Sequence, residues 1–270
     1  MLAIDGLRVV HRGPRTPVVA VAGLDLAVAP GRAVALVGES GSGKSTVINI
    51  VLGLLNRAEV SGAVTVDGVD MLRAPQRVLR RMRGRRIGFV GQQSFAAFDP
   101  LFPVDAQLRE AWRAHAAGGA TGMDAAIAGA LDVAGLDLAG LAAGLPPHRL
   151  SGGMLQRAQV AAALLHRPPL VLADEPTSAL DALLARRLAE ALRALRDNGT
   201  AVLLATHDLG LAARVADEVV VMRAGTVVER GPVGEVFARP REAYTEALLA
   251  AHPSRGLLLD RPEVVDEAGA

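Results

Sequence analysis

The stretch that decides the fold is LVGESGSGKSTVINI, residues 36–50. Residues 38–45 match the pattern G-x-x-x-x-G-K-[ST] in full, and they stand between an apolar run typical of a strand and a run with helical apolar spacing. In such a loop the glycines let backbone N–H groups turn inward around phosphate oxygens, and the following helix adds the positive end of its dipole. The stretch therefore predicts a phosphate-binding loop, and the competing interpretation is a glycine-rich turn without a ligand.

Lys44 is the only lysine among the 29 lysine and arginine residues of the chain. A compact ammonium group can bridge the β- and γ-phosphates, whereas a planar guanidinium is bulkier and spreads its donors in a fork. The next residue, Ser45, offers a hydroxyl that can ligate Mg²⁺. The loop thus predicts binding of a nucleoside triphosphate.

Acids and a histidine follow two later apolar runs. In LVLADE (170–175) four apolar residues precede two acids. Asp174 would therefore lie beside the Mg²⁺ of the loop, and Glu175 could polarise an attacking water. In ATHD (205–208) His207 ends the next buried strand, where we expect a contact with the γ-phosphate. The alternatives are an ordinary strand end and a structural histidine.

Two further segments carry small and polar residues. LSGGMLQR (150–157) places a serine and two glycines at a predicted helix start, which is a second anion-binding geometry, although a loop with a helix N-cap explains the same residues. TSALD (177–181) follows the acids directly.

The composition excludes several classes of protein. The chain has 270 residues, 51% hydrophobic content, 21% charged residues and a net charge of +1, so charge alone implies no polyanionic partner. The absence of cysteine excludes disulfides, iron–sulfur clusters and thiolate metal sites. The first residues lack the features of a secretion signal, and no stretch is apolar enough to span a bilayer. We expect a cytosolic protein that associates with a membrane only through a partner.

The order of apolar runs predicts an α/β fold. Strands alternate with helices, which indicates a mostly parallel core sheet covered on both faces. The first 37 residues read as β-strands, and we expect an N-terminal antiparallel β subdomain. Residues from about 94 to 165 read as an inserted α-helical subdomain. Residues 217–231 predict a hairpin that turns at Ala224-Gly225. We expect one domain over residues 1–250 and a short C-terminal tail over residues 251–270.

The set of motifs and their order resemble the ATP-binding cassette (ABC) ATPases, a group of P-loop NTPases, over about residues 2–250. The corresponding segments are Gly38–Thr46 as Walker A, Gln92 as the Q-loop glutamine, Leu150–Gln156 as the signature, Leu170–Glu175 as Walker B, Ser178–Asp181 as the D-loop and His207 as the switch histidine. In that family two cassettes pack head to tail, and each ATP lies between the Walker A of one and the signature of the other.

The resemblance implies a role for each matching residue. Glu175 would be the general base, His207 would stabilise the γ-phosphate, and Gln92 would sense Mg²⁺ and water. Ser45, Gln92 and Asp174 would be the metal-site residues. The ATP-binding residues would be Gly38, Glu39, Ser40, Gly41, Ser42, Gly43, Lys44, Ser45 and Thr46 in one chain, and Ser151, Gly152, Gly153 and Gln156 in the partner chain, with Asp181 linking the two sites.

Three segments resemble the branch of the family that imports peptides and nickel. They are GQQSFAAFDPLFPV (91–104), the methionine of LSGGMLQR, and RPREAYTEALLAAHP (239–253). The chain departs from that branch at three positions, where Gly91 replaces a phenylalanine and Ser94 and Ala243 replace prolines. The short, cysteine-free tail is more similar to the nickel and metallophore (opine-type) importers than to the longer dipeptide and oligopeptide members.

His11 takes the position at which the family usually stacks adenine on an aromatic residue. An imidazole stacks over a smaller area. The hypothesis is that selectivity for the base is relaxed, or that a neighbouring residue supplies the stack.

The resemblance implies an energy-coupling ATPase of an importer. Its partners would be transmembrane permease subunits, a second cassette that is the same or paralogous, and, indirectly, an extracytoplasmic solute-binding protein. The chain would lie at the cytoplasmic face of the membrane, held there by the permease.

The main alternative is a soluble ABC-type ATPase that acts on nucleic acid in repair or chromosome maintenance. It is suggested by the basic run Arg77, Arg80, Arg81, Arg83, Arg85 and Arg86, which a solvated helix also explains. The coiled-coil insertion or zinc-binding cysteines of such proteins are missing, so no nucleic-acid partner is expected. Translation-associated proteins of the family usually join two cassettes in one chain, whereas 270 residues hold only one. The segment LSGGMLQR (150–157) argues against a plain P-loop kinase.

Overall fold

The computed structural model describes residues 1–12, 16–54, 58–115, 121–136, 144–178 and 180–251. The described strands are β1 (Leu2–His11), β2 (Val18–Val28), β3 (Ala33–Val37), β4 (Ala58–Val66), β5 (Val69–Asp70), β6 (Ile87–Val90), β7 (Leu170–Asp174), β8 (Ala201–Thr206), β9 (Glu218–Arg223) and β10 (Thr226–Pro232). The described helices are α1 (Lys44–Val51), α2 (Gln76–Arg85), α3 (Val104–His115), α4 (Met123–Val133), α5 (Gly152–Leu164), α6 (Ala182–Asp197), α7 (Leu209–Val215), α8 (Val233–Ala238) and α9 (Ala243–Ala250).

A six-stranded sheet in the order β10-β9-β3-β8-β7-β6 forms the centre of the molecule. The neighbours from β9 to β6 pair in parallel, and only β10 pairs antiparallel, with β9. Both faces are buried, because alternate residues of β3 enter different cores: Ala35 and Val37 on one face, Leu36 on the other. The predicted mostly parallel α/β sheet is confirmed.

The N-terminal strands form a separate antiparallel sheet in the order β2-β1-β4-β5. Its apolar side packs with α1 and α2 on one face of the central sheet, and Leu7, Val9 and Leu24 lie in that core. The predicted antiparallel N-terminal sheet is confirmed.

Helices α3, α4 and α5 lie in the chain between β6 and β7, in the segment predicted to be a helical insertion. Leu108, Ile127 and Leu155 bring the three helices into the core on the opposite face of the central sheet from the antiparallel sheet. Residues 116–120 and 137–143 of the segment, and residues 252–270 of the predicted tail, lie outside the described residues.

Two local predictions need correction. The helix predicted over residues 45–55 ends at Val51, and Gly53 follows with a φ of +66°, a conformation that commonly terminates helices. The basic helix predicted over residues 76–86 is kinked, since Arg83 is extended and Gly84 has a φ of +83°. Arg83 turns inward there and donates to the carbonyl oxygens of Leu52 (2.8 Å) and Gly53 (3.0 Å).

The hairpin β9–β10 has the predicted turn. Ala224 and Gly225 both have positive φ values, 48° and 82°, as a two-residue type I′ turn requires. Among the described residues no helix has the length and apolarity needed to cross a membrane.

The parallel strands bring the predicted motifs together. The glycine-rich loop, Gln92, Glu175 and His207 each follow the carboxyl end of a parallel strand. Carboxyl ends of parallel strands meet at one edge of a sheet, and ligands of open α/β sheets bind outside that edge.

Candidate active site

The glycine-rich loop is held by close backbone packing. A Cβ at Gly38 would lie 2.1 Å from the carbonyl oxygen of Met222, and a Cβ at Gly43 would lie 2.3 Å from that of Ala20. Both glycines have positive φ, 149° and 106°. Only glycine fits these two positions, and the loop enters α1 with Gly43 as its N-cap.

Lys44 points back into the loop. Its ammonium donates to the carbonyl oxygens of Gly38 (2.7 Å) and Glu39 (2.9 Å), and the residue is 5% exposed. Burial lowers the pKa of Lys44, while the carboxylates of Glu175 and Asp174 act in the opposite direction. A buried cation at the mouth of an anion-binding loop is the arrangement that a phosphate needs.

Ser45 and Asp174 form an oxygen pair beside the loop. The Ser45 hydroxyl donates to Oδ1 of Asp174 over 2.9 Å. Burial raises the pKa of Asp174, and the hydrogen bond from Ser45 opposes that shift. A hydroxyl and a carboxylate are the hard oxygen ligands that Mg²⁺ prefers, so these two residues fit the predicted metal site. Within the described residues no group of three or more His, Cys, Asp or Glu side chains is placed to hold a metal ion.

Glu175 stands between the lysine and the histidine. Its Oε1 lies 4.0 Å from Nζ of Lys44, and its Oε2 lies 2.8 Å from Nδ1 of His207. The hydroxyl of Thr206 and the backbone N–H of His207 donate to the same Oε2, each over 3.3 Å. Glu175 itself is buried, whereas the side chain of His207 is 66% exposed and can reach a ligand.

Gln92 lies in the loop that follows β6, and its side chain is exposed. The hydroxyl of Ser178 lies 3.5 Å from the carbonyl oxygen of Gln92, which links this loop to the segment after Glu175. Among the hydrogen bonds of the described residues, none joins the Gln92 side chain to Ser45 or Asp174. The structure brings this loop to the site, and the role of the Gln92 side chain at the metal stays a prediction.

The predicted signature residues lie at the start of α5. Ser151 is the N-cap and accepts a hydrogen bond from the backbone N–H of Met154 (3.2 Å), while Gly152 and Gly153 form the first turn. Gln156 is fully buried and donates to the carbonyl oxygen of Pro176 (2.9 Å). This contact lies within the chain, and the role of Gln156 in nucleotide binding stays a prediction.

Asp181 is the N-cap of α6 and accepts from the backbone N–H of Leu184 over 2.9 Å. In the described residues, neither Asp181 nor Ser151 makes a hydrogen bond to Lys44, Ser45, Asp174 or Glu175. In the described residues the predicted phosphate loop and the predicted signature are thus separate, and the signature lies at the start of α5.

Comparison with known proteins agrees with this geometry. Residues 21–178 match the family model described as ABC transporter. The chain belongs to the ABC transporter family. It is similar to a Brucella ovis protein that is named, provisionally, a peptide import ATP-binding protein. The alignment is 265 residues long with 40% identity, and it covers 95% of this chain and 78% of the relative. It is also 40% identical over 260 residues to the oligopeptide transport ATP-binding protein OppD of Mycobacterium tuberculosis, covering 94% of this chain and 42% of OppD.

Among solved structures, the ABC chain resembles the ATP-binding cassette MJ0796. That protein was determined as a dimer in a post-hydrolysis state with ADP and Pi bound, and the match has a TM-score of 0.78 and 27% identity over 86% of this chain and 99% of MJ0796. The predicted ABC ATPase fold is confirmed, and the chain is an ABC ATPase.

His11 lies at the end of β1, where it pairs with Val18 of β2 and Ala58 of β4, and it is exposed. Strand β2 also reaches the Walker A loop, through the contact of Ala20 with Gly43. The role of His11 in adenine stacking stays a prediction.

Sequence reasoning missed two polar residues at this ABC site. The amide of Gln159 in α5 lies against the backbone of Gly91. With the amide oriented so that both its atoms are satisfied, its nitrogen donates to the carbonyl oxygen (2.9 Å) and its oxygen accepts from the N–H (3.2 Å). Tyr244 in α9 accepts a hydrogen bond from the backbone N–H of Glu39 over 3.2 Å. Gln159 could have been noticed as a polar residue on an apolar helix. Tyr244 is 205 residues from Glu39 and carries no local signal.

Proposed function

We propose that this ABC ATPase is the energy-coupling subunit of an importer, most consistent with import of peptides. The observation that carries the proposal is the separation of two predicted phosphate-binding parts within the chain. Lys44 and Glu175 lie together at the Walker A loop, whereas Ser151 caps a different helix and contacts neither. If two subunits share two ATP molecules, each ATP site needs the Walker A loop of one subunit and the helix start of the other.

The residues at the Walker A loop support hydrolysis. Lys44 would exchange its two internal carbonyl acceptors for the β- and γ-phosphates. Ser45 and Asp174 would hold Mg²⁺, which when bound neutralises charge on the phosphates. Glu175 would take a proton from the attacking water, and His207, already 2.8 Å from Oε2 of Glu175, would contact the γ-phosphate.

Dimerisation would complete each site. Ser151, Gly152 and Gly153 of a second ABC subunit would bind the γ-phosphate through the start of α5, where N–H groups and the helix dipole favour an anion. Asp181 at the start of α6 would link the two sites. Loss of the γ-phosphate after hydrolysis would remove these contacts and let the subunits separate.

An exposed apolar surface supports docking to a permease. Four large apolar residues that are near Gln92 along the chain are exposed: Phe89, Phe95, Leu101, which is 82% exposed, and Phe102. Clustered apolar side chains on a surface mark interaction sites. A transmembrane permease docked there would hold the chain at the cytoplasmic face of the membrane and sense the nucleotide through Gln92.

The solute is proposed from the relatives. The B. ovis relative matches 95% of this chain and its name refers to peptide import. Peptides delivered by an extracytoplasmic solute-binding protein are therefore the first candidates, and nickel or metal–opine complexes, suggested by the short tail, are the second. Within this proposal, residues 1–250 form the ATPase domain with a helical insertion at about 94–165, and residues 251–270 form a tail.

The nucleic-acid alternative is not favoured. Of the arginines that suggested it, Arg83 donates to two carbonyl oxygens of its own chain and Arg86 pairs with Asp67. The relatives reported above are named for peptide import and oligopeptide transport.

Co-expression with the membrane proteins encoded beside this chain tests the function. We expect the chain to co-purify with two permease subunits, and the vesicle-reconstituted complex to hydrolyse ATP faster with a peptide-loaded binding protein than with a nickel-loaded one. Failure to associate with any permease, together with ATPase activity stimulated by DNA at physiological salt, would replace the importer with the nucleic-acid ATPase.

A further inference from the structure

The C-terminal helix contacts the Walker A loop through one side chain. Tyr244, the only tyrosine in the sequence, lies in the first turn of α9, and its hydroxyl accepts a hydrogen bond from the backbone N–H of Glu39 over 3.2 Å. Glu39 immediately follows Gly38, the first glycine of the loop. A helix at the far end of the chain thus bonds to the backbone of the phosphate-binding loop.

Tyr244 is itself held in place from two sides. The guanidinium of Arg223, at the end of β9, lies 4.9 Å from the centre of the tyrosine ring, within the range of a cation–π interaction. The buried carboxylate of Glu229 in β10 accepts from the backbone N–H groups of Arg241 (2.8 Å) and Glu242 (3.3 Å), which fixes the segment that leads into α9. The hydroxyl is therefore presented to Glu39 by a fixed framework.

The hydrogen bond falls on a peptide group that also contacts the lysine. The N–H of Glu39 and the C=O of Gly38 belong to one planar peptide unit, so they point in opposite directions. The N–H donates to Tyr244, and the C=O accepts from Nζ of Lys44 over 2.7 Å. Tyr244 and Lys44 therefore bind opposite edges of the same peptide group.

We propose that Tyr244 is a positioning residue for ATP binding, which sets the orientation of the 38–39 peptide and through it the loop and Lys44. The proposal rests on the ATP-binding role of the Walker A loop. Without the hydroxyl, the 38–39 peptide loses one of its two hydrogen-bond partners. The loop is then less ordered before ATP binds, and ordering it on binding costs conformational entropy. The main effect is then on affinity for ATP rather than on the chemical step.

The Tyr244→Phe variant removes only the hydroxyl. We expect it to raise the Kd and KM for ATP about three- to tenfold, the range that one hydrogen bond supplies, with kcat nearly unchanged. Arg223→Gln, which keeps the hydroxyl but removes the cation over the ring, is expected to raise Kd by a smaller factor. Binding is measured by calorimetry with ATP and by turnover at varied ATP, well below the unfolding temperature of each variant.

Thr245→Val is the matched control. Thr245 is the next residue of α9, and its buried hydroxyl has no hydrogen-bond partner among the described residues, so its removal is expected to leave the Kd for ATP unchanged. If Tyr244→Phe binds ATP as tightly as the parent, or loses kcat without a change in KM, the proposal is wrong while the ATPase remains. If the parent chain binds no ATP, both this proposal and the proposed function fail.

Discussion

Glu175 has a backbone conformation that is unusual for its residue type. It follows the last residue of β7 with a φ of +48°, and its N–H donates to the carbonyl oxygen of Ala205 in β8 over 2.8 Å. A side chain other than glycine in this region carries conformational strain, which persists only where the surrounding contacts enforce it. This backbone conformation directs the carboxylate between Lys44 and His207. Strained backbone conformations of this kind cluster at functional sites.

The Glu175→Gln substitution tests the proposed base. The amide keeps the size of the side chain but cannot take a proton, so we expect kcat to fall at least about 100-fold while ATP binding is retained and a closed dimer accumulates. Turnover and size-exclusion chromatography with ATP measure the two effects. Glu190→Gln, an exposed change on α6, is the control, and normal hydrolysis by Glu175→Gln would exclude Glu175 as the base.

Two glycines of the Walker A loop allow a comparison of close packing with backbone strain. Gly41 has a φ of +81° and open space around a Cβ, whereas a Cβ at Gly38 would overlap the carbonyl oxygen of Met222. We expect Gly41→Ala to lower the free energy of unfolding by about 1 kcal/mol and Gly38→Ala by at least about 3 kcal/mol. Denaturant unfolding measures the free energy of unfolding of both variants. Equal losses of that free energy would show that the overlap with Met222 is relieved without an added cost.

At the scale of single elements, α2, α3 and the end of α5 meet at a small aromatic cluster. The rings of Trp112 and His166 stack with their centres 4.7 Å apart, and His115 meets His166 edge-on at 5.5 Å. Gly84, at the kink of α2, leaves room for His115, because a Cβ there would lie 2.8 Å from its Nε2. The kink and the cluster therefore depend on each other.

The cluster predicts a loss of stability in acid. Burial lowers the pKa of His115 below its usual 6.5, and the nearby His166 and Arg85 act in the same direction. The unfolded state then binds more protons than the folded state, so stability falls as the pH drops from above 6.5 towards the lowered pKa.

We expect His115→Gln to reduce this acid sensitivity. The slope of the unfolding temperature against pH below neutrality should be shallower than in the parent. His148→Gln, at an exposed position, should leave the slope unchanged. A parent and a His115→Gln variant with the same slope would contradict the assignment.

The elements that were predicted correctly carry their own local signals. Apolar runs that end in acids or histidine located β7 and β8, and the Ala224-Gly225 pair located the hairpin turn. The kink in α2 was not predicted, although Gly84 within the basic run was a usable sign. The contacts of Tyr244 with Glu39 and of Gln159 with Gly91 could not be read from the sequence, because each joins residues that are distant along the chain.

At the scale of the whole molecule, the proposed dimer can be tested at Ser151. We expect Ser151→Arg to leave ATP binding to the monomer intact and to block hydrolysis at least about 100-fold, because the bulky cation would occupy the place of the partner's phosphate. Loss of binding as well would weaken the proposal that the signature acts on another subunit.

Ser151→Ala separates the loss of the N-cap from the bulk that arginine adds. It removes the N-cap, which is worth about 1 kcal/mol, without adding bulk. We expect this variant to be slightly less stable and to retain far more turnover than Ser151→Arg. Stability is followed by thermal unfolding and association by light scattering with ATP.

The single lysine also makes the molecule its own chemical reporter. Apart from the terminal amine, an acylating reagent has one amine to attack, and that amine is 5% exposed and hydrogen-bonded to two carbonyl oxygens. Burial lowers the pKa of Lys44, and a bound triphosphate would shield the amine from the reagent. The rate at which Lys44 is acylated, followed by mass spectrometry, would therefore report the fraction of nucleotide sites that are occupied without any engineered label.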